Sequence, residues 1–182
     1  MENLTELDVL KDVVVRLEKA GYNYMLTGSM AMNYYAEPRM TRDIDLVIAL
    51  STFDTQDLLA LFDNDYYISD TAVKEAIQDQ TMFNLVHLES VVKIDMIVRK
   101  ENEYRLLEFS RRHQIEFSGF KFWIVSKEDL ILSKLCWAKD SNSELQIRDI
   151  KNLLNVQPDI VYLRQWAEVL DVQKLFEDLM NE

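Results

Sequence analysis

Apolar residues have helical spacing at the two ends of the chain and alternate or form short runs in between. This spacing predicts amphipathic helices at the ends and strands in the middle. Thr5 and Asp8 form a capping-box pattern at the start of the first helix, and Gly21 suits its C-cap. The pattern predicts strands over 22–27, 41–50 (starting at Thr41 or Arg42), 82–88, 91–98, 114–117 and 120–125, and helices over 5–20, 29–35, 52–64, 71–79 and from 126 onward, with breaks at 140–143 and 155–158.

Two pairs of the predicted strands should form hairpins. Only Glu89-Ser90 separates 82–88 from 91–98, and Ser118-Gly119 separates 114–117 from 120–125. The first hairpin would bring its second strand close to the strand over 41–50. We therefore expect an α/β (α+β) fold, a mixed sheet flanked by helices. We also expect two parts, a core over 1–125 and a helical C-terminal segment over 126–182 packed on it.

Two carboxylates share one face of the strand predicted over 41–50. Asp43 and Asp45 are two residues apart, so they project side by side, about 6 to 7 Å apart, while Ile44 points into the core. Asp95 lies in a second apolar run, where a carboxylate is costly unless it is paired, hydrogen-bonded or metal-bound. Together they could hold Mg²⁺ or Mn²⁺ and leave positions for substrate phosphates. An Asp-x-Asp pair alone is also common on exposed strand faces.

A glycine-serine step lies between the first strand and the short helix that follows it. Ser29 is predicted to be the N-cap of that helix, which Pro38 prevents from continuing. Helix N-termini present free N–H groups that suit phosphate oxygens, and Gly28 lets the backbone approach a phosphate closely. Accordingly, Gly28→Val should block nucleotide binding and leave the fold intact. The sequence contains no Walker A loop.

Composition and charge limit the range of functions. Hydrophobic residues make up 48% of the 182 residues, and the net charge of −12 argues against non-specific nucleic-acid binding. Residues 91–121 are locally basic, which fits either a polynucleotide end or an ordinary solvated surface. No apolar run is long enough to span a membrane, and the acidic N-terminus lacks a signal-peptide core, so the cytoplasm is expected. The single Cys136 is expected to be a buried thiol.

Three motifs, in this order, resemble those of the DNA polymerase beta-like nucleotidyltransferase superfamily: Thr27-Gly28-Ser29, Asp43-x-Asp45 and Asp95. The stretch from Arg39 to Asp45 is similar to the subgroup that contains the AbiE-type toxins. The resemblance covers about residues 22–98, and 126–155 more loosely, and an obvious large substrate-binding domain is lacking. It implies that the glycine-serine pair faces a triphosphate and that the three carboxylates bind two Mg²⁺ ions. It further implies that Asp95 completes the catalytic ion site and could act as a base.

Basic residues near these motifs are candidates for nucleotide binding. Arg39 and Arg42 flank the entry to the carboxylate strand, where they would either clamp phosphate oxygens or pair with nearby acids. AbiE-type relatives have a lysine and a basic-acidic pair in positions similar to Lys134 and Arg148-Asp149. Lys134 would accordingly reach the triphosphate, and Arg148-Asp149 would form an intramolecular pair. The alternative for each is an ordinary solvated helix face.

The sequence favours a Mg²⁺- or Mn²⁺-dependent nucleotidyltransferase. It would move a nucleoside monophosphate from a nucleoside triphosphate, ATP among the candidates, onto a hydroxyl of an RNA 3′ end, a protein or a small molecule, as a toxin-like enzyme or otherwise. A glycosyltransferase that holds a nucleotide sugar through Asp43 and Asp45 is a second hypothesis, although it leaves Gly28-Ser29 and Asp95 unused. A non-catalytic nucleotide-binding member of the same fold is a third. The sequence contains no motif that specifies the nucleotide base, the acceptor or the oligomeric state.

Overall fold

The computed structural model describes residues 4–141 and 143–181. Over this part of the chain, seven strands form one sheet and nine α-helices surround it. The strands are β1 (Tyr24–Thr27), β2 (Asp43–Ile48), β3 (Tyr66–Ile68), β4 (Met82–His87), β5 (Lys93–Val98), β6 (His113–Phe117) and β7 (Phe120–Ile124). The helices are α1 (Glu6–Lys19), α2 (Gly28–Tyr35), α3 (Thr55–Phe62), α4 (Asp70–Asp79), α5 (Glu103–Ser110), α6 (Lys127–Ser141), α7 (Glu144–Leu154), α8 (Ile160–Val169) and α9 (Gln173–Met180).

The sheet is mixed, which confirms the predicted fold class. Its strand order is β3-β4-β5-β2-β1-β7-β6. The pairs β2–β5 and β1–β7 are parallel, whereas the remaining neighbours are antiparallel. Both predicted hairpins are present, as β4–β5 and β6–β7. The carboxylate strand β2 therefore lies at the centre of the sheet, next to β5.

The hydrophobic core fixes which face of β2 carries its polar residues. Ile44, Leu46 and Ile48 are fully buried and belong to one core cluster. Asp43 and Asp45 alternate with them and so project from the opposite face. A register shift of one residue would move all the apolar side chains out of the core, so this arrangement is strongly specified.

The helix N-caps agree with the sequence-based predictions in part. Thr5 caps α1 in a capping box with Asp8, as predicted. Before α6, Asp129 N likewise donates to Ser126 Oγ, but the Asp129 carboxylate accepts from the Ser126 hydroxyl and not from its backbone N–H. The prediction for Ser29 was wrong: the N-cap of α2 is Thr27, and the helix begins at Gly28. Ser29 therefore lies in the first turn of the helix.

Three elements differ from the predictions. Strand β3 was not predicted because it is only three residues long, and its pairing with β4 supplies what its sequence pattern lacks. Helix α5 was also missed, since the buried Glu108 interrupts its apolar stripe. The final helical stretch is divided into α8 and α9, with Asp171 between them at a positive φ of 55°. The helices after β7 pack on the rest of the fold partly through α6, which contacts α2.

No helix in the described part of the chain is both long and apolar enough to cross a membrane.

Candidate functional site

Polar residues from four adjacent strands form a row across one face of the sheet. In register, Asp45 lies opposite Thr27 of β1 and opposite Asp95 of β5. Asp95 in turn lies opposite Asn84 of β4. Residues in register on neighbouring strands project from the same face. The structure thus places the side chains of Asp43, Asp45 and Asp95 on one face of two adjacent strands, as the i, i+2 spacing and the hairpin predicted.

Asp95 is held by two neighbours that sequence reasoning did not single out. Lys93 Nζ donates to Asp95 Oδ2 at 3.0 Å, and the Asn84 side-chain amide donates to Asp95 Oδ1. The same ammonium lies 3.8 Å from Asp43 Oδ1. One cation therefore contacts two of the three carboxylates. The signal for Lys93 was present in the sequence, because it is two residues before Asp95 and so shares its face.

The carboxyl group of Asp45 is strongly perturbed by its surroundings. Burial, and after it the negative charges of Asp95 and Asp43, raise the pKa of Asp45 to about 6, although the positive charges of Lys134 and Lys93 act in the opposite direction. The attraction of the two lysines therefore does not offset burial and the repulsion from the two other carboxylates. Perturbed carboxyl groups of this kind are typical of functional sites.

Gly28 lies directly against Asp45, at the point where β1 turns into α2. Its φ is +64°, and a Cβ atom added there would lie 1.9 Å from Asp45 Oδ2 and 2.8 Å from Asp45 Cβ. A rotation of the carboxylate would not relieve the contact with Cβ, which is fixed by strand β2. Glycine is therefore required by the fold itself, and the prediction that Gly28→Val leaves the fold intact is wrong.

We expect Gly28→Ala to destabilise the protein much more than Gly21→Ala. Gly21 has a similar positive φ of +79°, but a Cβ atom added there would have no neighbour within 4 Å, so this position isolates the backbone strain. That strain costs about 1 kcal/mol, and the collision with Asp45 should bring the loss at position 28 to roughly 3 kcal/mol. Urea unfolding of both variants measures the difference. Equal losses would show that Asp45 does not pack on Gly28.

A second cluster of polar residues adjoins the start of α2. Arg39 donates from Nε to Asp149 Oδ1 and from Nη2 to Asp149 Oδ2, both at 2.9 Å, and Nη2 also donates to Ser29 Oγ at 2.5 Å. Lys134 Nζ donates to Asp149 Oδ2 at 2.8 Å and to Gln146 Oε1 at 3.1 Å. Asp149 thus binds two cations, one from the segment before β2 and one from α6.

Burial and charge make this cluster different from a surface ion pair. The side chains of Asp149 and Lys134 are 2% and 5% exposed, so the alternative of a solvated helix face is wrong for both. Burial lowers the pKa of Lys134, and its contact with Asp149 partly offsets that effect. Burial alone would raise the pKa of Asp149, but the hydrogen bonds from Arg39 and Lys134 hold it below its ordinary value.

Two predicted candidates lie outside both clusters. Arg42 and Arg148 are exposed, and within the described residues neither takes part in the contacts of Asp45, Asp95 or Asp149. Asp149 pairs across the fold and not with its neighbour Arg148. Cys136 is half-buried, and burial raises the pKa of its thiol, which disfavours a thiolate nucleophile.

The carboxylate row suits a hard divalent cation in ligand type and in charge. Carboxylate oxygens are the ligands that Mg²⁺ prefers, and the repulsion that raises the pKa of Asp45 is what a cation would relieve. As the side chains stand, however, no three His, Cys, Asp or Glu residues of the described chain are grouped around one point.

Several solved structures share this fold. The lincosamide antibiotic adenylyltransferase LnuA with lincomycin bound is 20% identical, with a TM-score of 0.57 over 86% of this chain and 100% of that one. ANT(2″)-Ia in complex with adenylyl-2″-tobramycin is 12% identical, with a TM-score of 0.58 over 95% and 97%. An antigenic nucleotidyltransferase-like protein from Paracoccidioides brasiliensis is 19% identical, with a TM-score of 0.57 over 93% and 92%.

The comparison establishes a fold that nucleotidyltransferases share. At these identities it shows the fold alone, and it does not distinguish the AbiE-type subgroup from others. No protein-family description and no curated protein sequence matches the chain.

Proposed function

We propose that the protein is a nucleotidyltransferase that moves a nucleoside monophosphate from a nucleoside triphosphate onto an acceptor hydroxyl. The observation that carries this proposal is the row of three carboxylates beside the Gly28-Ser29 helix start, within a fold that nucleotidyltransferases share. The acceptor oxygen would bond to the α-phosphorus while the bond to pyrophosphate breaks. We assign the hydroxyl proton to Asp95, the base in this scheme.

Each carboxylate has a part in this scheme. Mg²⁺ or Mn²⁺, held by Asp43, Asp45 and Asp95, would supply activation of the hydroxyl and neutralisation of the leaving pyrophosphate. Asp45 lies against Gly28 and would fix the position of the α-phosphate relative to the helix start. The side chain of Asp43 is 58% exposed, so this end of the row is the open approach for the acceptor.

The phosphate chain would lie over the start of α2. Backbone N–H groups at that helix end are unpaired within the helix and suit phosphate oxygens. The guanidinium of Arg39 donates to Ser29 Oγ there, and Lys134 donates to Asp149, the carboxylate that Arg39 also binds. We assign nucleotide binding to Gly28, Ser29, Arg39 and Lys134. Arg42 is exposed at the strand entry and remains a proposed phosphate contact only.

A small hydroxylated molecule is the acceptor class that we propose first. LnuA was solved with lincomycin and ANT(2″)-Ia with adenylyl-2″-tobramycin, and both align with nearly the whole of their own length to this chain. An RNA 3′ end or a protein hydroxyl, as expected for a toxin-like enzyme, would use the same chemistry, and that version rests on the sequence resemblance alone. The net charge of −12 is unfavourable for a polynucleotide acceptor.

The test is pyrophosphate release from each of the four nucleoside triphosphates with Mg²⁺ or Mn²⁺. Acceptors would be lincosamide and aminoglycoside antibiotics, a short RNA and the protein itself, with mass spectrometry of each product. We expect pyrophosphate and a nucleotidylated acceptor. Release of UDP from a UDP-sugar would identify a glycosyltransferase instead. Nucleotide binding without any product across the panel would favour the non-catalytic alternative.

A further inference from the structure

Lys93 lies between Asp43 and Asp95, on the face of the sheet that carries the three carboxylates. Its register partner in β2 is Asp43, and it is two residues from Asp95 on the same face of β5. The ammonium contacts Asp95 Oδ2 at 3.0 Å and Asp43 Oδ1 at 3.8 Å.

We infer that Lys93 is the resident cation of the carboxylate row, which competes with a free divalent ion and moves aside when the ion binds. The inference rests on the metal dependence of the proposed function. A divalent ion held by Asp43 and Asp95 would need the carboxylate oxygens that the ammonium contacts. The Lys93 ammonium and a divalent ion would also repel each other beside the same two carboxylates, so the ion binds less tightly while the ammonium remains there.

The structure allows Lys93 to move without disturbing the sheet. Its side chain is 43% exposed, whereas that of Asp95 is 11% exposed. A lysine side chain has a flexible four-carbon stem, so its ammonium can leave while the strand stays in register. The amide of Asn84 continues to hold Asp95 after the ammonium has gone. The exchange thus moves one exposed side chain and keeps the buried carboxylate in position.

The exchange has a consequence for the order of binding. A free divalent ion must displace the ammonium into solvent, where water replaces its two carboxylate partners and no negative charge attracts it. An ion that arrives with a nucleoside triphosphate brings phosphate oxygens, which attract the displaced ammonium. Lys93 therefore favours entry of the ion together with its nucleotide over entry of the ion alone.

The test measures Mn²⁺ binding directly, in the absence of nucleotide. The decrease of the free Mn²⁺ signal in electron paramagnetic resonance reports how much of the ion is bound. Lys93→Met should bind Mn²⁺ roughly tenfold more tightly than wild type, because a competing charge is removed. Lys93→Arg keeps the charge and should stay near the wild-type affinity. Lys139→Met is the matched control, since Lys139 pairs with the exposed Asp171 and its loss changes the net charge equally.

The possible results separate the inference from the proposed function. Equal or weaker Mn²⁺ binding by Lys93→Met would overturn the inference and leave the metal site intact. No Mn²⁺ binding by wild type or by Lys93→Met, at any concentration, would overturn both the inference and the metal site on which it rests. Lys93→Gln provides a second neutral variant should Lys93→Met fail to fold.

Discussion

Replacing Asp45 by asparagine should strongly reduce nucleotidyl transfer and leave the protein folded at neutral pH. The carboxylate lies at the centre of the row, between Asp95 and the Gly28 backbone. Loss of its charge removes a ligand for the ion and with it the stabilisation of charge at the phosphoryl group. We expect a fall in kcat/KM of at least about a hundredfold, on the order found when one electrostatic contact to a transition state is removed. Pyrophosphate release measures it.

The same variant should show a pH-dependent gain in stability. The pKa of Asp45 is about 6 in the folded protein against an ordinary 3.8, so the folded state binds this proton more tightly than the unfolded state does. Ionisation of Asp45 therefore lowers stability as the pH rises from about 4 to about 6. Asparagine cannot ionise. The stability of Asp45→Asn relative to wild type should therefore rise between about pH 4 and about pH 6, and the two proteins should be equally stable below about pH 4.

Thermal melting of both proteins between about pH 4 and about pH 8 decides this prediction. Wild type should also gain stability when Mn²⁺ and a nucleotide are added, because binding shifts the equilibrium toward the folded state, and Asp45→Asn should gain much less. A clear loss of stability in Asp45→Asn at neutral pH, with the response to Mn²⁺ preserved, would mean that Asp45 is a structural carboxylate. The proposed active site would then be wrong.

The carboxylate row could be predicted from the sequence because it follows from strand geometry. A spacing of two residues fixes Asp43 and Asp45 to one face once the strand is recognised by Ile44 and Leu46. The short connection Glu89-Ser90 made the hairpin that carries Asp95 recognisable as well. The proximity of β5 to β2 was predicted in this way, but the order of the whole sheet was not. The place of the β6–β7 hairpin beside β1 depends on tertiary packing.

The cluster around Asp149 could not be predicted in the same way. Its partner Arg39 is 110 residues away in the sequence, and no local pattern links two residues across that separation. The contact of Gly28 with Asp45 was hidden for a related reason. A glycine before a helix is explained equally well by a turn, so its role in accommodating a side chain appears only in three dimensions.

The division into a core over 1–125 and a helical segment over 126–182 stays a prediction. Lys134 and Asp149 come from the helical segment, yet they contact Arg39 and, through it, Ser29. The proposed nucleotide site thus draws residues from both parts. A short helical segment can in this way complete a site without forming a separate substrate-binding domain.

Replacing Asp149 by asparagine should be the most destabilising single substitution of a polar residue in the proposed site. Asparagine has nearly the same shape, so the change removes charge and little else. It leaves Lys134, which is 5% exposed, and the guanidinium of Arg39, which is 20% exposed, without their common counter-ion. Breaking a buried ion pair from one side costs about 3 to 5 kcal/mol. Urea unfolding measures the loss, and isothermal titration with a nucleotide should show weaker binding.

A second substitution separates the buried charge from other causes. Lys134→Met on the Asp149→Asn background removes one of the stranded cations, so the double variant should recover part of the lost stability. Asp171→Asn is the matched control, because Asp171 also accepts from a lysine but is 92% exposed. Its substitution should leave the free energy of unfolding almost unchanged, since solvent screens an exposed pair. If Asp149→Asn and Asp171→Asn cost the same, or if Lys134→Met destabilises the Asp149→Asn variant further, Asp149 does not serve as the shared counter-ion of Arg39 and Lys134.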